Sequence, residues 1–285
     1  MLLPDRLRDL WGEVAAGSLS TEAAAIEQDR LLDTYRERWR TALLCRGEDD
    51  LRGSLLREAA TYYGAADLNE VERRFRAAVA TLRHAWHETV DPGRPASIGG
   101  FYESAAMIDD LMEWHSLRDD NGPLAYVVGL DIAQAHGVRA GLDFGSGVGS
   151  GALLFTQAGI TMTLADISTT LLDFARWRYA TRGLSADFID LKRAALPSAA
   201  FDMILAMDVF EHLPDPVGTV ERLWQALRPG GLLFARIHAE EDASRPQHIV
   251  RDFGPTLART RELGLVQTWQ DTWLWGHRLF EKRAG

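Results

Sequence analysis

The chain has 285 residues, of which 46% are hydrophobic and 25% charged, an ordinary globular composition that excludes a disordered or collagen-like chain. Its formal net charge of −10 disfavours DNA or RNA as the main partner, because a polyanion is repelled at long range. No apolar run approaches the length of about 18 residues that spans a bilayer, and Met1–Leu10 lacks the apolar core of a signal peptide, so we expect a cytoplasmic protein without membrane contact.

The N-terminal third has apolar side chains at helical spacing. They recur every three or four residues through 26–43, 51–62 and 71–86, which predicts amphipathic helices. We therefore assign residues 1–92 to an N-terminal helical domain. Two roles are open for it: a lid over a site in the rest of the chain, or an oligomerisation module, for which a homodimer is the simplest form.

Two prolines and three glycines in residues 91–100, DPGRPASIGG, predict a linker. Helical spacing resumes at Phe101 and continues to about Arg118, before Asn121-Gly122-Pro123 breaks the chain again. Residues 93–122 are thus expected to form a linker and a connecting helix. The linker glycines predict a hinge that would let Tyr102 close over a bound cofactor.

From residue 123 onward, short apolar runs alternate with amphipathic stretches. This pattern predicts an α/β fold, a Rossmann-like, doubly wound, mostly parallel sheet with an antiparallel C-terminal strand, in a domain of residues 123–285. The predicted strands are 141–144, 162–167, 187–189, 203–207, 232–237, 266–272 and 275–280. The predicted helices of this domain are 124–135, 149–158, 169–181 and 217–227.

A glycine-rich turn, LDFGSGVG at residues 142–149, ends the first of these strands. Glycines there permit positive φ and let the backbone approach a ligand, which binds beyond the carboxyl ends of the strands. Asp166 ends the second strand about 20 residues later, where a carboxylate can accept hydrogen bonds from both hydroxyls of a ribose. Together they favour a nucleoside ligand, and so far NAD and S-adenosylmethionine (SAM) fit equally.

The next segment separates these two cofactors. FDMILAMDVFEHLPDP, residues 201–216, resembles the corresponding segment of class I SAM-dependent methyltransferases, most closely the small-molecule enzymes of the quinone-biosynthesis type. ALRPGG at residues 226–231 is similar to another motif of that family, as is the glycine turn. The resemblance covers about residue 135 to the C-terminus, whereas roughly the first 120 residues resemble no family.

The resemblance implies SAM as the cofactor and indicates where it would bind. Asp166 would hold the ribose hydroxyls, and Ile167 would pack on adenine. Asp190 with Leu191 falls where the family places an acceptor for the adenine amine, and Asp208 would lie near the methionine amino group or the methyl. The cofactor-binding residues it implies are Asp143, Gly145, Ser146, Gly147, Gly149, Asp166, Ile167, Asp190, Leu191, Asp208 and Val209.

Methyl transfer needs a nucleophile in line with the C–S bond, and positioning with desolvation supplies most of the acceleration. A general base is needed only where the acceptor starts protonated, and histidine suits that role at neutral pH. The candidates are His238, His115 and His248, with Tyr102 as a hydrogen-bonding alternative. A single cysteine and the lack of recognisable Asp/Glu/His ligand spacing predict no metal site.

Three functions are compatible with a SAM site. The leading hypothesis is methyl transfer to a small molecule, in secondary metabolism. In the second, SAM itself is the substrate: its α-amino nitrogen attacks the γ-carbon, which gives azetidine-2-carboxylate and releases methylthioadenosine. The third is a non-catalytic SAM-binding partner subunit. A product assay with SAM alone separates the first two.

Overall fold

The computed structural model describes residues 1–91, 94–118, 123–239 and 243–283, with the backbone alone at residues 95 and 96. Its strands are β1 (Ala140–Phe144), β2 (Thr161–Asp166), β3 (Asp187–Asp190), β4 (Phe201–Ala206), β5 (Leu227–Ala235), β6 (Leu265–Gln270) and β7 (Arg278–Lys282). They form one sheet in the order β3-β2-β1-β4-β5-β7-β6. Strands β1 to β5 are parallel, and β7 is antiparallel to both β5 and β6. The predicted Rossmann-like fold class is confirmed.

The order of the strands reverses between β1 and β4, where the chain winds outward in both directions. Such a switch point opens a crevice beyond the carboxyl ends of the strands. β1 and β4 can lie at the centre of the sheet because their side chains are almost all buried on both faces. The sequence pattern therefore determines where the crevice lies.

Helices cover both faces of the sheet. The helices after the connecting segment are α7 (Pro123–Ala135), α8 (Ser150–Gln157), α9 (Thr169–Thr181), α10 (Pro216–Ala226) and α11 (Gly254–Glu262). Apolar side chains of α7, α8 and α9 pack on one face, and those of α10 and α11 on the other. This doubly covered sheet matches the alternation that predicted it.

The N-terminal region is helical, as predicted. Its helices are α1 (Leu3–Ala15), α2 (Thr21–Leu43), α3 (Leu51–Tyr63) and α4 (Leu68–Thr89), followed by α5 (Pro95–Phe101) and α6 (Ala106–Met112). α1 and α2 share a core with α7 and α8, whereas α3 to α6 share one with α9 and with Val148 of the glycine turn. Among the described residues, no helix combines the length and apolar character that crossing a membrane requires.

Two local predictions in the connecting segment were wrong. Part of the expected linker, Pro95–Phe101, is helical, because proline is pre-organised for the first turn of a helix. The expected continuous helix from Phe101 is interrupted after that residue, where Ser104 Oγ accepts the N–H of Ala106 at the start of α6. Residues Glu113–Leu117 then form a π-helix, a conformation frequent at functional sites.

A buried ion pair joins the helical region to the sheet region. The Arg178 guanidinium of α9 lies 3.0 Å from the Glu58 carboxylate of α3, and both side chains are almost fully buried. Arg178 also donates to the carbonyl of Val148 and to Ser150 Oγ, at 2.8 and 2.9 Å. Glu58 of the helical region thus positions Arg178, and Arg178 in turn fixes the residues at the end of the glycine turn. The domain boundaries at 92/93 and 122/123 stay predictions.

Candidate cofactor and acceptor site

A cavity of about 1480 Å³ lies at the carboxyl ends of the central strands. Its floor is the end of β1, β2 and β4, and α5, α6 and the π-helix contribute its roof. Ligand pockets typically have volumes of roughly 300–1,000 Å³. The cavity can therefore hold a nucleoside cofactor together with a second small molecule.

The glycine turn forms one end of this cavity. Gly145 and Gly147 have φ angles of +71° and +53°, in the left-handed region that favours glycine. A Cβ on Gly145 would lie 2.5 Å from Val209 Cγ2, so the turn leaves no room for a side chain. Ser146 Oγ is buried at the cavity wall with no hydrogen-bond partner in the described part of the chain. The turn thus presents backbone and one hydroxyl to a ligand.

Asp166 closes this end of the cavity from the tip of β2. Its Oδ2 accepts the N–H of Gly147 at 2.9 Å, and its Oδ1 accepts the N–H of Ser168 at 2.8 Å. Burial raises the pKa of Asp166, and the N–H groups of Ser168 and Gly147 oppose that rise. Ile167, beside it on the cavity wall, is 37% exposed. A carboxylate with further lone pairs next to an apolar surface fits ribose hydroxyls and an adenine face.

The structure brings eight of the eleven implied cofactor residues to the cavity wall: Gly145, Ser146, Gly147, Asp166, Ile167, Leu191, Asp208 and Val209. The other three lie outside it. Gly149 packs on Leu164, and Thr169 and Arg193 bind the carboxylate of Asp190. Asp143 is fully buried within β1, where burial raises its pKa to about 7. The contacts of all eleven with SAM stay predictions.

Asp208 follows β4 at the centre of the cavity. Its φ of +50° is uncommon for a residue other than glycine, although aspartate tolerates it better than most. Oδ1 accepts a hydrogen bond from Arg236 Nη1 at 2.7 Å, and Oδ2 lies 3.8 Å from His115 Nδ1. Burial alone would raise the pKa of Asp208, but the charges of Arg236, His115 and His277 lower it overall. Asp208 is therefore an ionised carboxylate, held by the Arg236 guanidinium.

The four histidine and tyrosine candidates all line the cavity. His115 extends from the π-helix to the Asp208 carboxylate, whereas His238 is exposed, three residues beyond the end of β5. His248 is buried with its ring 4.8 Å from that of His212. The Tyr102 hydroxyl is buried without a hydrogen-bond partner among the described residues, and burial raises its pKa. His115 Nδ1 lies at ion-pair distance from a carboxylate of the cavity wall, that of Asp208.

Folding also brings together a set of side chains that the sequence analysis did not connect. Glu211, His212 and His248 offer ligand atoms that all lie within 4.8 Å of one another on the cavity wall. His212 Nδ1 lies 3.1 Å from the carbonyl of Gln247 and donates to it, which leaves Nε2 as its acceptor atom. Burial and the nearby His248 lower the pKa of His212 to about 3. These three residues could hold a metal ion, although the sequence predicted no metal site.

Two cavity residues, Arg236 and His277, escaped the sequence analysis. Arg236 directly follows β5, the position where the open-sheet rule places ligand-binding residues, so the rule could have found it in place of His238. His277 carried no such signal, because it precedes a short antiparallel strand near the C-terminus. It reaches the cavity only through the pairing of β7 with β5.

Comparisons with known proteins find similarity to methyltransferases. The family described as "Methyltransferase domain" matches residues 142–235. A ubiquinone biosynthesis O-methyltransferase from Aromatoleum aromaticum is 34% identical over 147 residues, which cover 49% of this chain and 61% of that protein. A tRNA 5-carboxymethoxyuridine methyltransferase from Escherichia coli is 33% identical over 97 residues, 32% of this chain and 37% of that protein. The chain spans less than two thirds of the length of these curated relatives.

A solved structure supports the fold over a longer stretch. A SAM-dependent methyltransferase from Leishmania major superposes with a TM-score of 0.53 at 17% identity, covering 69% of this chain and 88% of that one. At this identity the likeness concerns the fold alone. Together with the sequence matches, it confirms the resemblance that the motifs predicted.

Proposed function

Because the chain contains a class I SAM-dependent methyltransferase domain, with SAM as its cofactor, we propose that it transfers the SAM methyl group to a small molecule bound in the same cavity. The observation that carries this proposal is the division of the cavity of about 1480 Å³ into two ends. The glycine turn and Asp166 form one end, the aromatic wall of residues 271–277 forms the other, and Asp208 with His115 lies between them. An enzyme that only cyclised SAM would not need the second end.

The cofactor end suits the parts of SAM in turn. The backbone of Gly145–Gly147 and the unpartnered Ser146 Oγ face the methionine and ribose side. Asp166 receives the ribose hydroxyls, and the exposed face of Ile167 packs on adenine. When bound there, SAM supplies an electrophilic methyl group on a positively charged sulfur. The ionised Asp208 lies within the same cavity and attracts that positive charge.

His115 acts as the general base for an acceptor that starts as a hydroxyl or another protonated nucleophile. Its Nδ1 faces Asp208 Oδ2, so Nε2 is the nitrogen that takes the proton as the acceptor atom bonds to the methyl carbon and the C–S bond breaks. Asp208 orients the imidazole and stabilises its protonated form, and Arg236 fixes Asp208 in place. The products are the methylated acceptor and S-adenosylhomocysteine (SAH).

A small acceptor fits better than a nucleic acid, although one relative modifies tRNA. The helical region covers the cavity, and the net charge of −10 opposes a polyanion. The cytoplasmic location, a homodimer and a place in secondary metabolism stay predictions.

The test is a product assay on the purified chain with SAM, alone and with a library of hydroxyl and amine acceptors, run in EDTA and in added Mg²⁺ because of the Glu211, His212 and His248 set. We expect SAH that forms only with an acceptor. Methylthioadenosine from SAM alone would show the cyclising reaction instead. Absence of SAM binding in calorimetry would overturn every catalytic reading.

A second arm tests the base. His115→Gln should lower kcat by about 100-fold or more with SAM affinity unchanged, and the loss should shrink as pH rises for an acidic acceptor. His136→Gln, an exposed histidine at the end of α7, is the matched control. An unchanged kcat in His115→Gln would remove His115 from the mechanism.

A further inference from the structure

The loop between β6 and β7, residues 271–277, forms part of the cavity wall on the side of Asp208. The Asp271 side chain is 1% exposed, and its two carboxylate oxygens accept the N–H groups of Trp273, Leu274 and Trp275 at 2.7–2.9 Å. The N–H of Asp271 donates to the carbonyl of His277 at 2.8 Å, which closes the loop. The loop therefore keeps its shape through its own hydrogen bonds, before any ligand arrives.

This rigid loop holds a buried imidazole without partners. His277 is 1% exposed, and neither ring nitrogen has a hydrogen-bond partner in the described part of the chain. Its ring stacks on Phe234, with the two centroids 5.3 Å apart, and lies near the Asp208 carboxylate. Burial lowers the pKa of His277 to about 4, so the ring is neutral near pH 7, with one donor and one acceptor nitrogen.

An unpaired buried polar group is costly, and such groups in native proteins usually find their partner in a ligand or an ordered water. Because His277 lines the cavity, a bound molecule can reach it. A ligand N–H can donate to the acceptor nitrogen of the neutral ring, and a ligand hydroxyl can either donate to that nitrogen or accept from the ring N–H. This identifies one polar group of the ligand.

The surroundings of His277 indicate the rest of that ligand. Trp273 is 43% exposed although its loop is rigid, and Trp275 lies edge-on to His277 with the ring centroids 6.5 Å apart. Exposed aromatic faces on a fixed wall suit a planar apolar body, which stacks at little cost in conformational entropy.

The charges in the cavity disfavour an anionic acceptor. Nearly all of the lysines and arginines on its wall already pair with a carboxylate: Lys192 with Glu103, Arg193 with Asp190, Arg222 with Asp215, Arg236 with Asp208 and Arg245 with Asp110. The remaining one, Arg278, has no carboxylate partner among the described residues: its Nη1 donates to Gln267 Oε1, and its buried Nε has no hydrogen-bond partner. At the five paired residues, a bound carboxylate or phosphate would have to compete with the existing partner.

We propose that the acceptor is a neutral planar ring compound that stacks on the tryptophans of the 271–277 loop and hydrogen-bonds to His277 through a ring hydroxyl or N–H. This inference rests on the proposed function, since it names the class of molecule that occupies the second end of the cavity. His277 is a specificity residue in this arrangement, and His115 remains the base.

Three matched rings test the inference by calorimetry on the full chain saturated with SAH: resorcinol, 3-methylphenol and 3-hydroxybenzoate. They share one ring hydroxyl, which takes the place of the nucleophile at His115, and differ only in the second group, which faces His277 and is a hydroxyl, a methyl or a carboxylate. We expect resorcinol to bind about tenfold or more tightly than 3-methylphenol, and 3-hydroxybenzoate to bind most weakly.

Variants assign the discrimination to one side chain. His277→Phe should reduce the preference for resorcinol over 3-methylphenol to about one, and His277→Gln, which keeps a donor and an acceptor, should restore most of it. His136→Phe is the control for an exposed histidine and should change nothing. An unchanged SAH affinity in each variant excludes misfolding as the cause.

Three outcomes would overturn the inference: tightest binding of 3-hydroxybenzoate, a resorcinol preference that survives in His277→Phe, or no binding of any ring up to its solubility limit. The proposed function fails by other readouts, namely no SAH binding or no SAH formed from SAM with any acceptor. The two failures are therefore separate.

Discussion

The helical and the sheet regions differ in the partners of their buried carboxylates. In the helical region, each of four buried acidic side chains forms an ion pair with an arginine. In the sheet region, Asp143 and Asp166 are buried without an arginine partner within the described residues, and Asp166 is held by backbone N–H groups. The pairs of the helical region are Glu58 with Arg178 and Arg182, Asp109 with Arg74, Asp110 with Arg245, and Glu113 with Arg52.

The difference separates ion-paired structural charges from carboxyl groups that have no charged partner. Arg178 and Arg245 belong to the sheet region, so their pairs join that region to α3 and to α6 of the helical region. A backbone-held carboxylate keeps lone pairs for incoming hydroxyls. We therefore expect substitutions in the first group to lower the free energy of unfolding, and those in the second to change ligand binding or the pH dependence of stability.

The largest effect is expected from breaking the joint between the regions. Glu58→Gln leaves the buried Arg178 without its charge partner, which should lower the free energy of unfolding by about 3–5 kcal/mol in urea denaturation. Glu37→Gln removes an exposed helical pair with Arg40 and should cost less than about 1 kcal/mol. Equal losses in the two variants would contradict a structural role for the buried pair.

Asp143→Asn tests the unpaired charge of the sheet region through pH. The pKa of Asp143 rises from 3.8 unfolded to about 7 folded, so between those values the folded state holds the extra proton and stability falls as pH rises. Asn has no carboxyl to titrate and lacks this loss. The free energy of unfolding of the variant, relative to that of the wild type, should therefore rise by up to about 3 kcal/mol between pH 5 and pH 7.

Asp202→Asn should change the pH dependence of stability in the opposite direction. Burial raises the pKa of Asp202, but the N–H groups of Ala140 and Arg139 outweigh it and the pKa is lowered. Its carboxylate therefore stabilises the fold more as pH rises through the acid range, and the variant should fall behind the wild type there. For Asp143→Asn, a difference in the free energy of unfolding from the wild type that does not change with pH would contradict a protonated buried carboxyl.

Gly145→Ala should damage the site and largely spare the fold. The new Cβ would meet the stiff side chain of Val209 at 2.5 Å and sit at a φ of +71°. We expect SAM affinity to fall by about 30-fold, near 2 kcal/mol, in calorimetry. Gly137→Ala is matched in backbone strain, with a φ of +65° and open space around it, so it should leave SAM affinity unchanged. Equal SAM affinity in the two variants would contradict the assignment of the turn.

The features that could be predicted from the sequence are those that depend on local residue patterns. The strands, the glycine turn and Asp166 at the tip of β2 follow from alternation and from spacing along the chain. The N-terminal helices follow from periodicity, but their role could not, because Glu58 meets Arg178 across 120 positions. Proline and glycine in 91–100 indicate a linker by composition, but Pro95 also suits the first turn of a helix, and the packing of Ile98 and Phe101 in the helical core, which composition does not reveal, favours that outcome.

Prediction from the sequence has the same limit at the cavity, where the contacts depend on long-range folding. His115 could be proposed because histidines are few, yet its closeness to Asp208 depends on the π-helix, which no spacing rule predicts. His277 stayed unnoticed because antiparallel pairing of β7 with β5, a long-range event, brings it to the wall.

The smallest expected effect compares two exposed isoleucines, one in each region. Ile167 is 37% exposed at the cofactor end of the cavity, and Ile26 is 66% exposed on α2. Ile167→Ser removes apolar surface that adenine would cover, so SAM affinity should fall about fivefold, near 1 kcal/mol, with kcat at saturating SAM unchanged because the contact is the same in ground and transition states. Ile26→Ser should change neither quantity. If Ile167→Ser binds SAM as the wild type does, the adenine does not lie on that face.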